Sequence, residues 1–126
     1  MKPLSAIILS VLVLVFAVVL VLNPLRRSQE KIRASFAKLT PIGSSFESVT
    51  ATLKENGYSH PELSRSHGFL KQERSTETVG VSSIHVHLGE YRNLPIPLAT
   101  DVDAFWGFDQ AGKLIDIWIW KTTDGP

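Results

Sequence analysis

Cysteine is absent from the 126 residues, and its absence excludes disulfides, thiol chemistry and the lipid-bearing cysteine of bacterial lipoproteins. The compartment stays open on this ground alone. The chain also has no glycine-rich phosphate loop, no nucleophile motif and no dense metal-ligand signature. Without such a constellation the expectation is a protein that is not an enzyme and holds no cofactor. Acidic residues are scarce at one end only. Residues 1–40 set six Lys and Arg against Glu30, a net +5, while residues 41–126 set seven against eleven Asp and Glu, a net −4. An acidic folded portion lacks the clustered cations that phosphate neutralisation needs, which argues against nucleic acid as a partner.

Charge is missing altogether from residues 4–22, LSAIILSVLVLVFAVVLVL, nineteen residues with two serines. At about 1.5 Å per residue a helix of this length covers about 28 Å, close to the hydrocarbon thickness of a bilayer. The expectation is an uncleaved single-pass membrane anchor running from Leu4 to Leu22. Cleavable signal peptides have shorter apolar cores, about 7 to 15 residues, and a small-x-small site that is missing here. Arg26 and Arg27 then stand at the bilayer surface as part of the anchor, with anionic lipid headgroups as neighbours. The flanking charges favour a cytoplasmic domain, since Lys2 and the α-amino group face four basic residues between 26 and 33. A very short leader with a basic residue is, however, a common beginning for exported signal-anchored proteins. Both orientations stand, with a lean to the extracytoplasmic side.

About 100 residues remain after the anchor, enough for one small core. The organisation expected is an anchor at 1–23, a basic juxtamembrane helix at 24–40 and a small domain at 41–126. In the juxtamembrane segment Ser28 is a candidate cap, and Ile32, Phe36 and Leu39 share one helical face that omits Lys31, Arg33 and Lys38. A second helix opens on a capping box of Ser44 and Glu47, buries Phe46, Val49 and Leu53, and stops at Asn56-Gly57. Residues 58–80 are polar and interrupted, with Phe69-Leu70 either a weak edge strand or loop. Beyond Val81 the period changes to two, Ile84, Val86 and Leu88 alternating with Ser83, His85 and His87, and Gly89 marks a place for a bulge. Residues 93–98 hold two prolines and read as a stiff connector or sheet edge.

The strongest strand signal closes the chain. Residues 101–108 and 114–121 flank a turn in which Asp109 and Gly112 suit a three-residue hairpin loop. A regular register pairs Phe108 with Leu114, Trp106 with Asp116, Ala104 with Trp118 and Val102 with Trp120. Phe105, Ile115, Ile117 and Ile119 then gather beneath the helices. Val102, Trp106, Trp118 and Trp120 form a tryptophan-rich second face, the candidate surface for a protein partner, unless the juxtamembrane helix or the 58–80 segment covers it. The fold class expected is α+β: a transmembrane helix, then two short helices on a three- or four-stranded antiparallel sheet.

The stretch LTPIGSSFESVTATLKENGYS, a short helix before it and a sheet after it ending in FDQAGKLIDIWIWK together resemble the small bacterial envelope proteins of the BamE type. The same helix-helix-sheet unit occurs in the β-lactamase inhibitory proteins. The likeness rests on Ile42-Gly43-Ser44 opening a helix with Val49 and Leu53 buried, and covers roughly residues 28–121. It implies an extracytoplasmic domain that binds proteins without catalysis. The chain departs from the outer-membrane members in having no lipidated cysteine and a long apolar helix in its place, so a role in outer-membrane assembly does not carry over.

Two chemical constellations remain. His85-x-His87 sets two imidazoles on one strand face with Cα atoms about 6 to 7 Å apart, a separation that suits a shared metal once a third ligand such as Glu90, His60 or His67 joins them. A solvent-facing strand surface explains the pair equally simply. Asp101 and Asp103 share a strand face with no nucleophile beside them, and Ser44-Ser45 is explained by helix capping. The function expected is a membrane-anchored, non-catalytic binding or assembly domain of the bacterial cell envelope, with the lipid bilayer and a protein as partners. The alternative is a metal-binding sensor or enzyme built on His85 and His87.

Overall fold

The structure, a computed structural model, describes residues 2–21, 23–71, 77–93, 95–96 and 98–123, and within 2–21 the side chains of 4–15. Helix α1 spans Lys2–Val21. Among the described residues no helix is long and apolar enough to cross a membrane. The single-pass placement and the extracytoplasmic lean drawn from it are corrected accordingly. Leu4 is exposed on α1, and Leu22 lies outside the described residues. Arg26 and Arg27, expected beside lipid, belong to the folded domain. The Arg26 guanidinium sits 4.9 Å from the Tyr91 ring centroid and donates to the Arg92 carbonyl, and the Arg27 carbonyl accepts from Lys121 Nζ.

After a short 3-10 turn at Pro24–Arg26, helix α2 (Gln29–Leu39) opens on Ser28, whose Oγ accepts from the Lys31 N–H at 3.2 Å. Ile32 and Phe36, one turn apart, point into the core. Helix α3 (Phe46–Glu55) buries Phe46, Val49 and Leu53, and Gly57 takes the left-handed conformation that ends it. Its cap is Ser45, accepting from Ser48 N–H at 3.1 Å, one residue later than the capping box predicts. The shift has a tertiary cause. Residues 43–46 lie along residues 112–114, with Gly43 N–H donating to Leu114 O, Leu114 N–H to Ser44 O, and Phe46 N–H to Gly112 O. That pairing holds Ser44 outside the helix, where its Oγ donates to Pro41 O at 2.6 Å.

Helices α2 and α3 cover one face of an antiparallel sheet of order β1-β4-β5-β6, formed by β1 (Glu62–Ser64), β4 (Ser82–Asn93), β5 (Leu98–Phe108) and β6 (Leu114–Thr123). A separate hairpin, β2 (Phe69–Leu70) with β3 (Thr78–Val79), lies against the other face. Alternation in β4 follows the expected period, Ile84 and Val86 inward and His85 outward, and the register shifts between His87 and Gly89. The β5–β6 turn forms as its chemistry dictates: Gly112 has positive φ, and Asp109 Oδ1 accepts from both Ala111 and Lys113 N–H at 2.9 Å.

One bulge changes which residues share a face. Phe108 pairs with Leu114 and Gly107 with Asp116, so Ile115 is the extra residue on β6. Every later pair moves by one position from the regular register: Trp106 with Ile117, Phe105 with Trp118, Ala104 with Ile119, Asp103 with Trp120. A one-residue slip exchanges the faces of a strand. Ile117 and Ile119 therefore join Val102, Ala104, Trp106 and Phe108 in the helix-covered core, whereas Trp118 and Trp120 lie opposite with Phe105. The four-residue surface of Val102, Trp106, Trp118 and Trp120 is corrected to two residues on each face, since Val102 and Trp106 are fully buried.

Trp106 is the largest wholly buried side chain. Its ring meets Phe36 edge-on with centroids 5.3 Å apart, and its Nε1 donates to Thr40 Oγ1 at 3.0 Å. The outer edge of β6 is closed at Ile117. The Arg33 Nε of α2 donates to the Ile117 carbonyl at 2.6 Å, and Asp116 Oδ1 accepts from the Ile117 N–H at 2.8 Å. Such blocking keeps an edge from templating a further strand.

Candidate binding groove

The sheet face away from the helices carries a different population of side chains. Along β4 it presents Ser83, His85 and His87, along β5 Asp101, Asp103 and Phe105, and along β6 Asp116, Trp118 and Trp120. The β2–β3 hairpin roofs one end. Phe69 is buried with its ring 5.6 Å from that of Phe105, and the hairpin comes so close to Gly107 that a Cβ there would stand 2.8 Å from both Phe69 and Val79. At the base of the hairpin Gly80 has φ +76° and lies against the backbone of Phe108, where a side chain has no room.

Between this roof and the β1 edge runs a groove of about 730 Å3. Leu63, Phe69, Leu70, Phe105 and Trp120 give it apolar walls, and Glu62 and His85 stand at its polar side. The size and composition are those of a ligand site: mostly apolar with a few convergent polar groups. Phe105 reaches the groove by the alternation of β5, paired with His85 of β4, and the bulge brings Trp118 and Trp120 to its face.

The two histidines form a hydrogen-bonded cluster. His85 stacks on Phe105 at 4.5 Å and 12°. Its Nδ1 is 3.1 Å from Glu62 Oε2 and its Nε2 2.8 Å from Asp103 Oδ1. His87 Nδ1 is 3.1 Å from that same Asp103 oxygen, and its Nε2 is 4.0 Å from Asp101. Both imidazoles thus turn a nitrogen toward one carboxylate oxygen, and among the described residues no group of three or more His, Cys, Asp or Glu is arranged to hold a metal ion. Of the third ligands expected, His60 lies with Glu62, His85 and His87 around a neighbouring hollow of about 410 Å3, while His67 is bound to Ser66.

At the opposite end of the face Asp116 is shared between Arg33 NH2 and Lys71 Nζ, each at 2.7 Å. Burial pushes its carboxyl up, but hydrogen bonds from Lys71, Arg33 and the Ile117 N–H outweigh that and hold it below its ordinary value of 3.8. The Lys71 ammonium also stands 5.2 Å from the Trp118 ring centroid. One end of the face is therefore anionic and the other carries its cations already paired.

Sequence reasoning found His85, His87, Trp118 and Trp120 but missed Glu62, Leu63, Leu70 and Phe105. The first three sit in the polar 58–80 segment, which lacks the periodicity that marks a strand. No protein-family model, curated protein or solved structure matches the chain.

Proposed function

We propose that this chain is a non-catalytic binding domain that takes an extended segment of a protein partner into the groove between the β2–β3 hairpin and β1. The observation that carries the reading is an apolar channel of about 730 Å3 on an otherwise polar sheet face, walled by Phe69, Phe105 and Trp120. Aromatic walls beside a few polar groups supply contact area with little loss of side-chain freedom on binding. Among the described residues no nucleophile is bonded to His85 or His87: the nearby Ser83 hydroxyl donates instead to the His67 carbonyl at 2.9 Å. The resemblance to BamE-type domains, which implies protein binding without catalysis, points the same way. The metal reading of His85 and His87 is weaker, because both turn a nitrogen to one shared carboxylate and, among the described residues, no group of three or more ligating side chains is arranged around an ion.

The test is selection of extended peptides from a displayed library on the immobilised full chain. A consensus with apolar or aromatic residues at alternate positions is expected, with retention lost in Trp120→Ala and kept in Glu55→Gln on the exposed side of α3. Selection that enriches nothing over the bare support, or that ignores Trp120→Ala, would overturn the reading.

A further inference from the structure

The walls of the groove say that an occupant is apolar, and its surroundings say which charge that occupant carries. On the β1 side the charged groups are Glu62 of β1, Asp101 and Asp103 of β5 and Glu90 of β4, all carboxylates, with His85 and His87 of β4 and His60 of the α3–β1 connection beside them. The cation nearest the other end, Lys71, is committed to Asp116, and Arg65, which follows β1, is turned to Glu47 at 3.1 Å on the helix side of the sheet. With neutral imidazoles the β1 end of an apolar channel is therefore anionic, and the nearest base on that face of β4, Arg92, lies beyond Glu90 toward the far end of the strand.

We infer that the groove selects an extended peptide carrying a lysine or arginine next to its apolar residues, the cation pairing with Glu62 while neutral His85 donates to Asp103, and that protonation of His85 expels it. The inference rests on the binding reading above and sharpens it. The geometry of His85 supplies the switch. An imidazole donates from both nitrogens only as the cation. Its two nitrogens face Glu62 and Asp103 at 3.1 and 2.8 Å, so imidazolium consumes both carboxylates. Neutral imidazole donates to one of them and leaves the other to a ligand. Glu62, with 81% of its side chain exposed, is free to swing toward that ligand, whereas Asp103, at 18%, is held in the sheet. A peptide cation and a protonated His85 thus compete for the Glu62 carboxylate, and His87, 3.1 Å from Asp103, adds its own charge on the same side.

The experiment uses labelled nine-residue peptides of alternating Leu and Phe with Lys, Gln or Glu at the intervening positions. Their affinity for the full chain is measured by fluorescence anisotropy at pH 7.5 and pH 5.0. Converging carboxylates on a partly desolvated cation favour the Lys over the Gln peptide by roughly tenfold at pH 7.5, and the preference collapses at pH 5.0. Glu62→Gln removes most of the preference without touching the apolar walls, and His85→Gln, which takes up no proton at that position, keeps more of it at pH 5.0 than the wild type does, His87 still standing beside Asp103. Equal binding of the Lys and Gln peptides, or a preference that His85→Gln leaves just as sensitive to pH, overturns the inference while peptide binding itself stands. If none of the peptides binds, or all bind equally to Trp120→Ala, the binding reading fails and the inference with it.

Discussion

Thr40→Val tests whether the buried hydrogen bond at the centre of the core is a working part of it. Thr40 is 1% exposed at the end of α2, its Oγ1 donating to Phe36 O at 2.7 Å and accepting from Trp106 Nε1 at 3.0 Å. Valine has nearly the same shape and no oxygen, so the substitution removes the acceptor without opening a cavity. The Phe36 carbonyl keeps the Thr40 backbone N–H at 2.8 Å. The indole N–H, by contrast, has no water to turn to, because Trp106 is fully buried. Leaving a buried donor unmet costs about 1 to 3 kcal/mol. The expected loss is therefore about 2 kcal/mol, a fall of roughly 10 °C in Tm for a domain of this size. Urea denaturation followed by circular dichroism measures it, with Thr40→Ser as the control that keeps the oxygen and loses only a methyl group. Trp106→Phe supplies the decisive background: with no indole N–H to strand, Thr40→Val should cost at least 1 kcal/mol less, by the double-mutant comparison. A Thr40→Val protein within about 0.5 kcal/mol of wild type, or one equally destabilised in both backgrounds, would refute the reasoning.

Asp116 makes stability depend on acid. Its folded carboxyl sits below the unfolded value of about 3.9, so its contribution is complete above that value and lost as pH falls through the folded one. The stability gap between wild type and Asp116→Asn should therefore shrink between pH 6 and pH 3, and a constant gap would contradict the pairing with Lys71 and Arg33. Gly80→Ala should cost roughly 2 kcal/mol or more, since φ is +76° and the added carbon would lie 2.5 Å from Phe108 O; an alanine variant with unchanged urea midpoint sinks the account of how the hairpin is seated. Deleting Ile115, the extra residue of the β6 bulge, should leave Trp118 and Trp120 on the open face and cooperative unfolding intact. Deleting Ile117 should turn both tryptophans into the core, and quenching of tryptophan fluorescence by acrylamide distinguishes the two.

Much of the fold was legible where local rules act alone. Ser28 caps α2, Ile32 and Phe36 define its buried face, Gly57 ends α3, and Asp109 with Gly112 makes the β5–β6 turn. Each follows from dihedral preference or side-chain spacing within a few residues. The cap of α3 was displaced by one position because residues 43–46 pair with residues 112–114, about seventy positions away in sequence. No local pattern distinguishes Ser44 from Ser45. The strands β1 and β3 were not legible at all: each is two or three residues long and exists by pairing, β1 with β4 and β3 with β2.

The candidate site was half legible for a related reason. His85 and His87 were found because β4 keeps its period, while the tryptophans were assigned a face by a register that ignored one residue. Ile115, Ile117 and Ile119 form an alternating apolar set that is indistinguishable in sequence from a buried strand face, yet Ile115 is 44% exposed and the others are buried. What decides between them is asymmetry on the partner strand. Gly107 can accept the hairpin above it because it has no Cβ, and Asp116 must face the same side to meet Lys71 from that hairpin. With Gly107 and Asp116 opposite one another and Phe108 already opposite Leu114, one residue of β6 has to be extra. The bulge thus follows from seating β2 and β3 on the sheet, and the same bulge carries Trp118 and Trp120 to the face of Phe105, where those strands form the roof of the groove. Core and site are alternatives for the same β6 side chains, and the contact of a two-residue strand with a glycine selects between them.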